Sequence, residues 1–163
     1  PLYREALEIT RATRGPGHPD YALDLHNLAV LLETTGRFEE AELLYREALE
    51  IDRRTIGTEH PEYATHLNNL AGLLRATGRF AEAEPLYRQS LVIVRKTLGP
   101  KHPEYAIHLN NFAGLLRITG RADEAEPLYR EALAIFESAL GSDHPNTKIA
   151  QRNLDRFLAE GND

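Results

Sequence analysis

The residues best suited to chemistry in this chain recur at a fixed interval. His-Pro pairs stand 42 residues apart, at His18, His60, His102 and His144. Imidazole binds metal ions and transfers protons near neutral pH. However, zinc holds its ligands within about 2.1 Å, whereas successive helix layers of a repeat array lie about 10 Å apart. The same distance argument excludes His66 and His108, so we expect the paired histidines to cap helices and no metal to bind.

Carboxylates are the second candidate for catalysis. They cluster where the second helical segment of each repeat begins, at Glu39, Glu40, Glu82, Glu84, Asp123, Glu124 and Glu126. The helix dipole stabilises negative charge in a first turn, and neither a nucleophile nor a glycine-rich phosphate loop accompanies the carboxylates. We expect Arg37, Arg79 and Arg121 to bridge them. The sequence therefore predicts no catalytic residue, no cofactor and no enzymatic activity.

Composition narrows the class of protein further. The 163 residues contain no Cys, which excludes disulfides and thiolate chemistry, and the net charge of −6 argues against a nucleic-acid partner. No apolar stretch approaches the 18 residues of a membrane span, and no leader pattern is present. From these features we expect a cytoplasmic protein that binds neither nucleic acid nor membrane.

The elements that position these residues are copies of one unit. Residues 102–121 read HPEYAIHLNNFAGLLRITGR, residues 60–79 read HPEYATHLNNLAGLLRATGR, and residues 18–37 are a third, more divergent copy. Apolar residues recur at helical spacing twice per unit, which predicts a helix A and a helix B. The predicted helices lie near 1–14, 18–34, 38–56, 60–76, 80–98, 102–118, 122–140 and 144–159. One helix pair cannot bury its own apolar stripe, so we expect an all-α, right-handed superhelical solenoid of antiparallel helix pairs.

The two ends of this solenoid are expected to differ. We predict one repeat domain over 1–163, made of a helix B from a truncated repeat (1–17), three repeats (18–59, 60–101 and 102–143) and a C-terminal capping helix (144–163). The last helix has Lys148, Gln151 and Asp155 where earlier copies have apolar residues, as a cap requires. Apolar residues near the start, such as Leu2 and Leu7, predict self-association through the truncated end.

The unit resembles a tetratricopeptide repeat. The matching positions in the second copy are Leu67, Leu70, Ala71, Leu74, Gly78, Ala83, Tyr87 and Ser90. The 42-residue length, with the patterns L-G-x-x-H-P and L-N-N-L-A, is similar to the repeats of kinesin light chains and their prokaryotic relatives. The resemblance implies a module that binds a protein or an extended peptide in its concave groove, which helix A lines.

The face of helix A opposite the Leu67 stripe is therefore the candidate groove. The predicted peptide-binding residues are Asn27, Asn68, Asn69, Arg75, Ile107, Asn110, Asn111, Arg117, Ile118, Arg152, Asn153 and Arg156. Asn occupies one position in all four copies, at Asn27, Asn69, Asn111 and Asn153. The resemblance implies that these amides bind a peptide backbone; alternatively, each bonds a neighbouring helix and sets the repeat spacing.

Charge along the candidate groove predicts an acidic ligand. Arg75, Arg117, Arg152 and Arg156 form a basic stripe towards its C-terminal half, and Ile107 and Ile118 suggest an apolar anchor. The alternative is that these arginines pair with surface glutamates. A peptide-binding scaffold is thus the first functional hypothesis. A self-associating structural spacer and a sensor arm of a larger signalling ATPase are the others.

Overall fold

A computed structural model describes residues 2–160 of the chain. Eight α-helices and no strand occur in that range. They are α1 (Leu2–Arg14), α2 (Pro19–Thr34), α3 (Phe38–Thr55), α4 (Pro61–Ala76), α5 (Phe80–Thr97), α6 (Pro103–Ile118), α7 (Ala122–Leu140) and α8 (Pro145–Glu160). Even-numbered helices are A helices and odd-numbered helices are B helices. Every helix boundary lies within one residue of its prediction, which confirms the all-α helix-pair fold.

The His-Pro pairs begin the A helices. In each pair the imidazole Nδ1 accepts a hydrogen bond from the backbone N–H two residues later, at 3.1–3.2 Å. The proline follows at the start of the helix, where its missing N–H leaves no hydrogen bond unmade. Gly78 ends the turn after α4 with φ of 78°, a conformation that favours glycine. The predicted capping role of these histidines is confirmed.

Arginine and glutamate stabilise the start of the B helices. Each arginine that follows a turn glycine forms a bidentate bond to the glutamate three residues later, pairing Arg37 with Glu40, Arg79 with Glu82 and Arg121 with Glu124. Arg79 also donates to Glu42 of the preceding B helix. The predicted bridges are confirmed. Because these pairs are largely exposed, each contributes little to stability.

The chain divides into two compact units, Pro1–Leu86 and Tyr87–Asp163, and the division lies within α5. In the first unit α2 packs against α1 and α3, and α3 packs against α4. Its core contains Tyr21, Leu25 and Ile51 together with two alanines, Ala22 and Ala48. Both alanines are completely buried, because a small side chain lets neighbouring helix backbones approach closely.

The second unit repeats this packing, and aromatic rings meet in its core. Here α7 packs against α6 and α8. The rings of Tyr129 and Phe157 lie 5.6 Å apart between α7 and α8, and Tyr87 contacts Phe112 with ring centroids 6.1 Å apart. The Arg88 guanidinium carbon lies 5.0 Å from the centre of the Phe112 ring. None of the helices in the described part of the chain has the length and apolar character needed to cross a bilayer.

Candidate protein-interaction site

The side of each A helix that faces away from its core is the candidate site, and we call it the A face. On α4 it carries Thr65 and Asn69, which are partly exposed. On α6 Ile107 and Asn111 are partly exposed, and Ile118 is 48% exposed. These residues therefore lie where the helical projection places them.

Asn68 is an exception, and its predicted exposure on the A face is wrong. The residue is only 2% exposed, and its amide nitrogen lies 3.4 Å from Asn69 Oδ1. The physical reason is angular, because one residue after Leu67 corresponds to a rotation of about 100°, which points to the flank of the helix. An A helix in an array has neighbours on its flanks as well as below it, so its buried arc is wider than one stripe.

Two of the four asparagines at the repeated position, Asn69 and Asn153, connect neighbouring A helices. Asn69 Nδ2 lies 3.0 Å from Nε2 of His26 on α2, and Asn153 Nδ2 donates to Asn110 Oδ1 on α6 at 3.1 Å. These contacts support the helix-spacing alternative for Asn69 and Asn153. Each side chain remains partly exposed on the A face, as does Asn27. An amide has two N–H groups and an acceptor oxygen, so one interhelical bond does not exhaust its capacity.

The arginines of the predicted basic stripe fall into two groups. Arg117 Nη1 donates to both carboxylate oxygens of Glu160 on α8, at 2.6 and 2.8 Å, so the surface-pairing alternative holds for it. Burial raises the pKa of the Glu33 carboxyl group, and the nearby positive charge of Arg75 opposes that shift. Arg152 and Arg156 on α8 are exposed. Among the described residues of the second unit, the exposed arginines of the predicted stripe are thus those on α8.

A buried polar cluster lies beneath the A face of the first unit. His66 Nδ1 is 2.6 Å from Asp52 Oδ2, with both side chains at most 2% exposed, so Nδ1 carries the hydrogen that the carboxylate accepts. The His26 ring stacks on the His66 ring at 4.1 Å between centroids. Burial, with a smaller contribution from His66, lowers the pKa of His26 to about 3. Its Nδ1 has no hydrogen-bond partner among residues 2–160.

A tyrosine extends this cluster towards the surface. The Tyr45 hydroxyl donates to Glu33 Oε2 at 3.0 Å, and its ring lies 5.3 Å from that of His26. Burial raises the pKa of Glu33, although the bond from Tyr45 and the charge of Arg75 oppose the shift. Nowhere in the described chain do three or more histidine or acidic side chains form a group able to hold a metal ion.

A hollow opens on the A face of the second unit between α6 and α8. Its volume is about 190 Å³. Apolar side chains form its walls and floor, namely Ile107, Phe136, Ile149 and Ala150. Amides of Asn110 and Asn111 lie at its rim. The arrangement can enclose an apolar group while offering hydrogen bonds to polar atoms beside it.

Sequence reasoning missed the residues that distinguish the two units. Asp52 and His66 in the first unit correspond, by the 42-residue period, to Phe136 and Ala150 in the second. Comparing the copies position by position, rather than averaging them into one pattern, would have identified both sites. The signal is a buried position whose polarity changes from copy to copy.

Comparison with protein families identifies the repeats. The family model described as tetratricopeptide repeat matches residues 1–54, 44–96, 62–138 and 105–154. The chain belongs to the tetratricopeptide repeat family. Tetratricopeptide repeats generally serve as scaffolds for protein–protein interaction, since the stacked helix pairs present an extended surface. A search of curated proteins finds no match to the chain.

Solved tetratricopeptide structures resemble the whole chain. BtubC (BKLC) from P. vanneervenii is 28% identical with a TM-score of 0.85, and the match covers 99% of this chain and 65% of that one. A Podosopora anserina chain assigned as a kinesin light chain, with nearly identical TPR-like repeats, is 29% identical with a TM-score of 0.76, covering 99% of this chain and 77% of that one. The expected likeness to kinesin-light-chain repeats is confirmed.

Proposed function

We propose that this chain is a protein-interaction scaffold that binds an extended peptide segment of a partner protein on its A faces. The observation that carries the proposal is the hollow of the second unit, where isoleucine walls stand beside asparagine amides. Extended peptides, such as those in the polyproline II conformation, present side chains together with unpaired backbone N–H and C=O groups. The apolar hollow can hold a side chain of such a peptide, and the amides at its rim can form hydrogen bonds with the peptide backbone.

The peptide is expected to be acidic where it contacts α8. Arg152 and Arg156 are exposed there, whereas the charge of Arg117 is compensated by Glu160. Of the predicted basic stripe, the part on the last A helix, α8, therefore retains the proposed role in binding an acidic peptide. A carboxylate approaching these two arginines gains a charge-assisted hydrogen bond that weakens with added salt.

Self-association as a structural spacer is the second candidate function, and an apolar surface on the first unit favours it. Tyr3 is 47% exposed, whereas the tyrosines at the same repeat position, Tyr45, Tyr87 and Tyr129, are at most 3% exposed. Together with Leu28 and Leu31, Tyr3 lines a hollow of about 410 Å³. An apolar surface of this kind can pack against another protein surface.

Peptide-display selection on the purified chain tests the scaffold function. Ile107→Glu places a charge on the A face of α6, and Leu43→Glu makes the matched change at a 68% exposed site on the B helix α3. We expect the wild type and Leu43→Glu to enrich one peptide consensus, and Ile107→Glu to lose it. Enrichment of no consensus by the wild type contradicts the proposal. A mass that rises with concentration in light scattering would then favour the spacer function.

A further inference from the structure

The hollow between α6 and α8 lies at a junction whose side chains differ from those of the corresponding junction in the first unit. In the first unit Asp52 and His66 occupy the corresponding place, and the ring of His26 stacks on that of His66. In the second unit Phe136 replaces the aspartate and Ala150 replaces the imidazole. Two imidazoles of the first unit, those of His26 and His66, thus correspond to the smaller side chains of Asn110 and Ala150, and the hollow lies beside these smaller side chains.

The size of the hollow limits what it can hold. Pockets for small-molecule ligands usually enclose about 300–1,000 Å³, whereas this one measures about 190 Å³. It is open to solvent at the A face, since Ile149 in its wall remains 43% exposed. Its floor is the buried Phe136 ring and the Ala150 methyl group. Such a space suits one aliphatic side chain rather than a whole ligand.

The polar surroundings indicate how the rest of a peptide would lie. Asn153, one turn beyond Ile149, donates to Asn110 across the two helices and holds that amide at the rim. Arg156 lies seven residues beyond Ile149, on the same side of α8 and about 10.5 Å along its axis. A peptide in the extended polyproline II conformation rises about 3.1 Å per residue and has three residues per turn, so side chains three residues apart point to the same side and lie about 9.3 Å apart.

We propose that the hollow between α6 and α8 is a pocket for one leucine-sized aliphatic side chain of an extended peptide that carries a carboxylate three residues away, above Arg156. The pocket rests on the proposed scaffold function and specifies its ligand as an aliphatic residue and an acidic residue separated by two positions. Specificity arises from Ala150, which opens the pocket, and from Arg156, which is exposed and positively charged.

Selections with a random peptide library on matched variants test the pocket. The probes are the wild-type chain, Ala150→Leu to fill the hollow, Arg156→Glu to reverse the charge, and Leu43→Ala as a control on the outer face of α3. We expect the wild type and the control to enrich an aliphatic residue and an acidic residue three positions apart. A synthetic peptide of that consensus should bind Ala150→Leu about 10- to 100-fold more weakly, as loss of one buried aliphatic side chain implies. Arg156→Glu should abolish the acidic preference alone.

The outcomes separate this pocket from the scaffold function itself. A wild-type consensus that is lost with Ile107→Glu but unchanged by Ala150→Leu and Arg156→Glu overturns the pocket and leaves peptide binding intact. Enrichment of no consensus overturns both. Circular dichroism verifies that Ala150→Leu is folded. If it is not, Ile149→Ala replaces it, and a consensus that does not shift towards larger side chains in the widened hollow also refutes the pocket.

Discussion

The buried histidine stack predicts that the first unit loses stability in mild acid. The pKa of His26 falls from its ordinary 6.5 to about 3 in the folded chain, first because the ring is buried and second because His66 lies against it. His26 therefore becomes protonated below about pH 6.5 in the unfolded chain but only near pH 3 in the folded chain. Stability is fully present above pH 6.5 and is lost progressively as the pH falls towards 3.

The size of this loss of stability follows from the difference between the pKa of His26 in the folded chain and its ordinary pKa. At pH 5 the unfolded imidazole is almost fully protonated while the folded one is neutral, which lowers the free energy of unfolding by about 2 kcal/mol. The His26 ring contacts Tyr45, His66 and Asn69, and the carboxyl groups of Glu33 and Asp52 contact Tyr45 and His66 in turn. The raised pKa of Glu33 acts in the opposite direction, because its folded form takes up a proton first.

A single substitution isolates the contribution of His26. His26→Asn installs the residue that later copies have at this position, where Asn110 accepts a bond from the neighbouring A helix. The variant keeps an interhelical bond and removes the titrating ring. Urea unfolding followed by circular dichroism at pH 7.5 and pH 5 gives the loss of stability for each protein. We expect the wild type to lose about 2 kcal/mol more than the variant. Equal losses would refute the reasoning.

Three further predictions concern single contacts. His102→Ala should lower the free energy of unfolding by about 1 kcal/mol while His102→Asn retains most of it, because a side-chain acceptor at the N-cap satisfies one helix N–H; thermal melting measures the difference. Arg117→Ala and Glu160→Ala should couple by only about 0.2–1 kcal/mol in a double-mutant cycle of urea unfolding, since both groups contact water; a larger value would mean that the pair is shielded. Asp52→Ala should cost about 1–3 kcal/mol because it leaves the buried Nδ1–H of His66 without its acceptor. Asp52→Phe combined with His66→Ala, which copies the second unit, should cost less than the two changes summed when unfolding is measured for all three proteins.

Sequence periodicity predicted the helices closely because the information is local. A helix starts where a capping side chain meets a proline and ends where a glycine follows the last apolar turn, and both signals are read within a few residues. His60 and Gly78 bound α4 in this way. Because the 42-residue unit recurs along the chain, the sequence also indicates the period and predicts that successive helix pairs stack.

Residues on the A face were harder to assign because an exposed direction depends on neighbours that are distant in sequence. Asn68 was placed on the surface by a one-stripe projection, but the helices beside α4 bury its flank. Arg117 was placed in a free basic stripe, and its partner Glu160 is 43 residues away. The residue pattern of a single helix does not show which residues of other helices lie beside it.

By itself, the sequence determined the fold class, the number of helices and the capping chemistry, because these depend on contacts between residues close in the chain and on a repeat that must bury its apolar stripe. Tertiary structure decided which polar residues are buried with hydrogen-bond partners and which are exposed. The reason is that A helices one repeat apart meet side by side. The junction between A helices is filled by the Asp52–His66 pair in the first unit, whereas the second unit has an open hollow above Ala150 at the corresponding place. Only the packed helices show this difference.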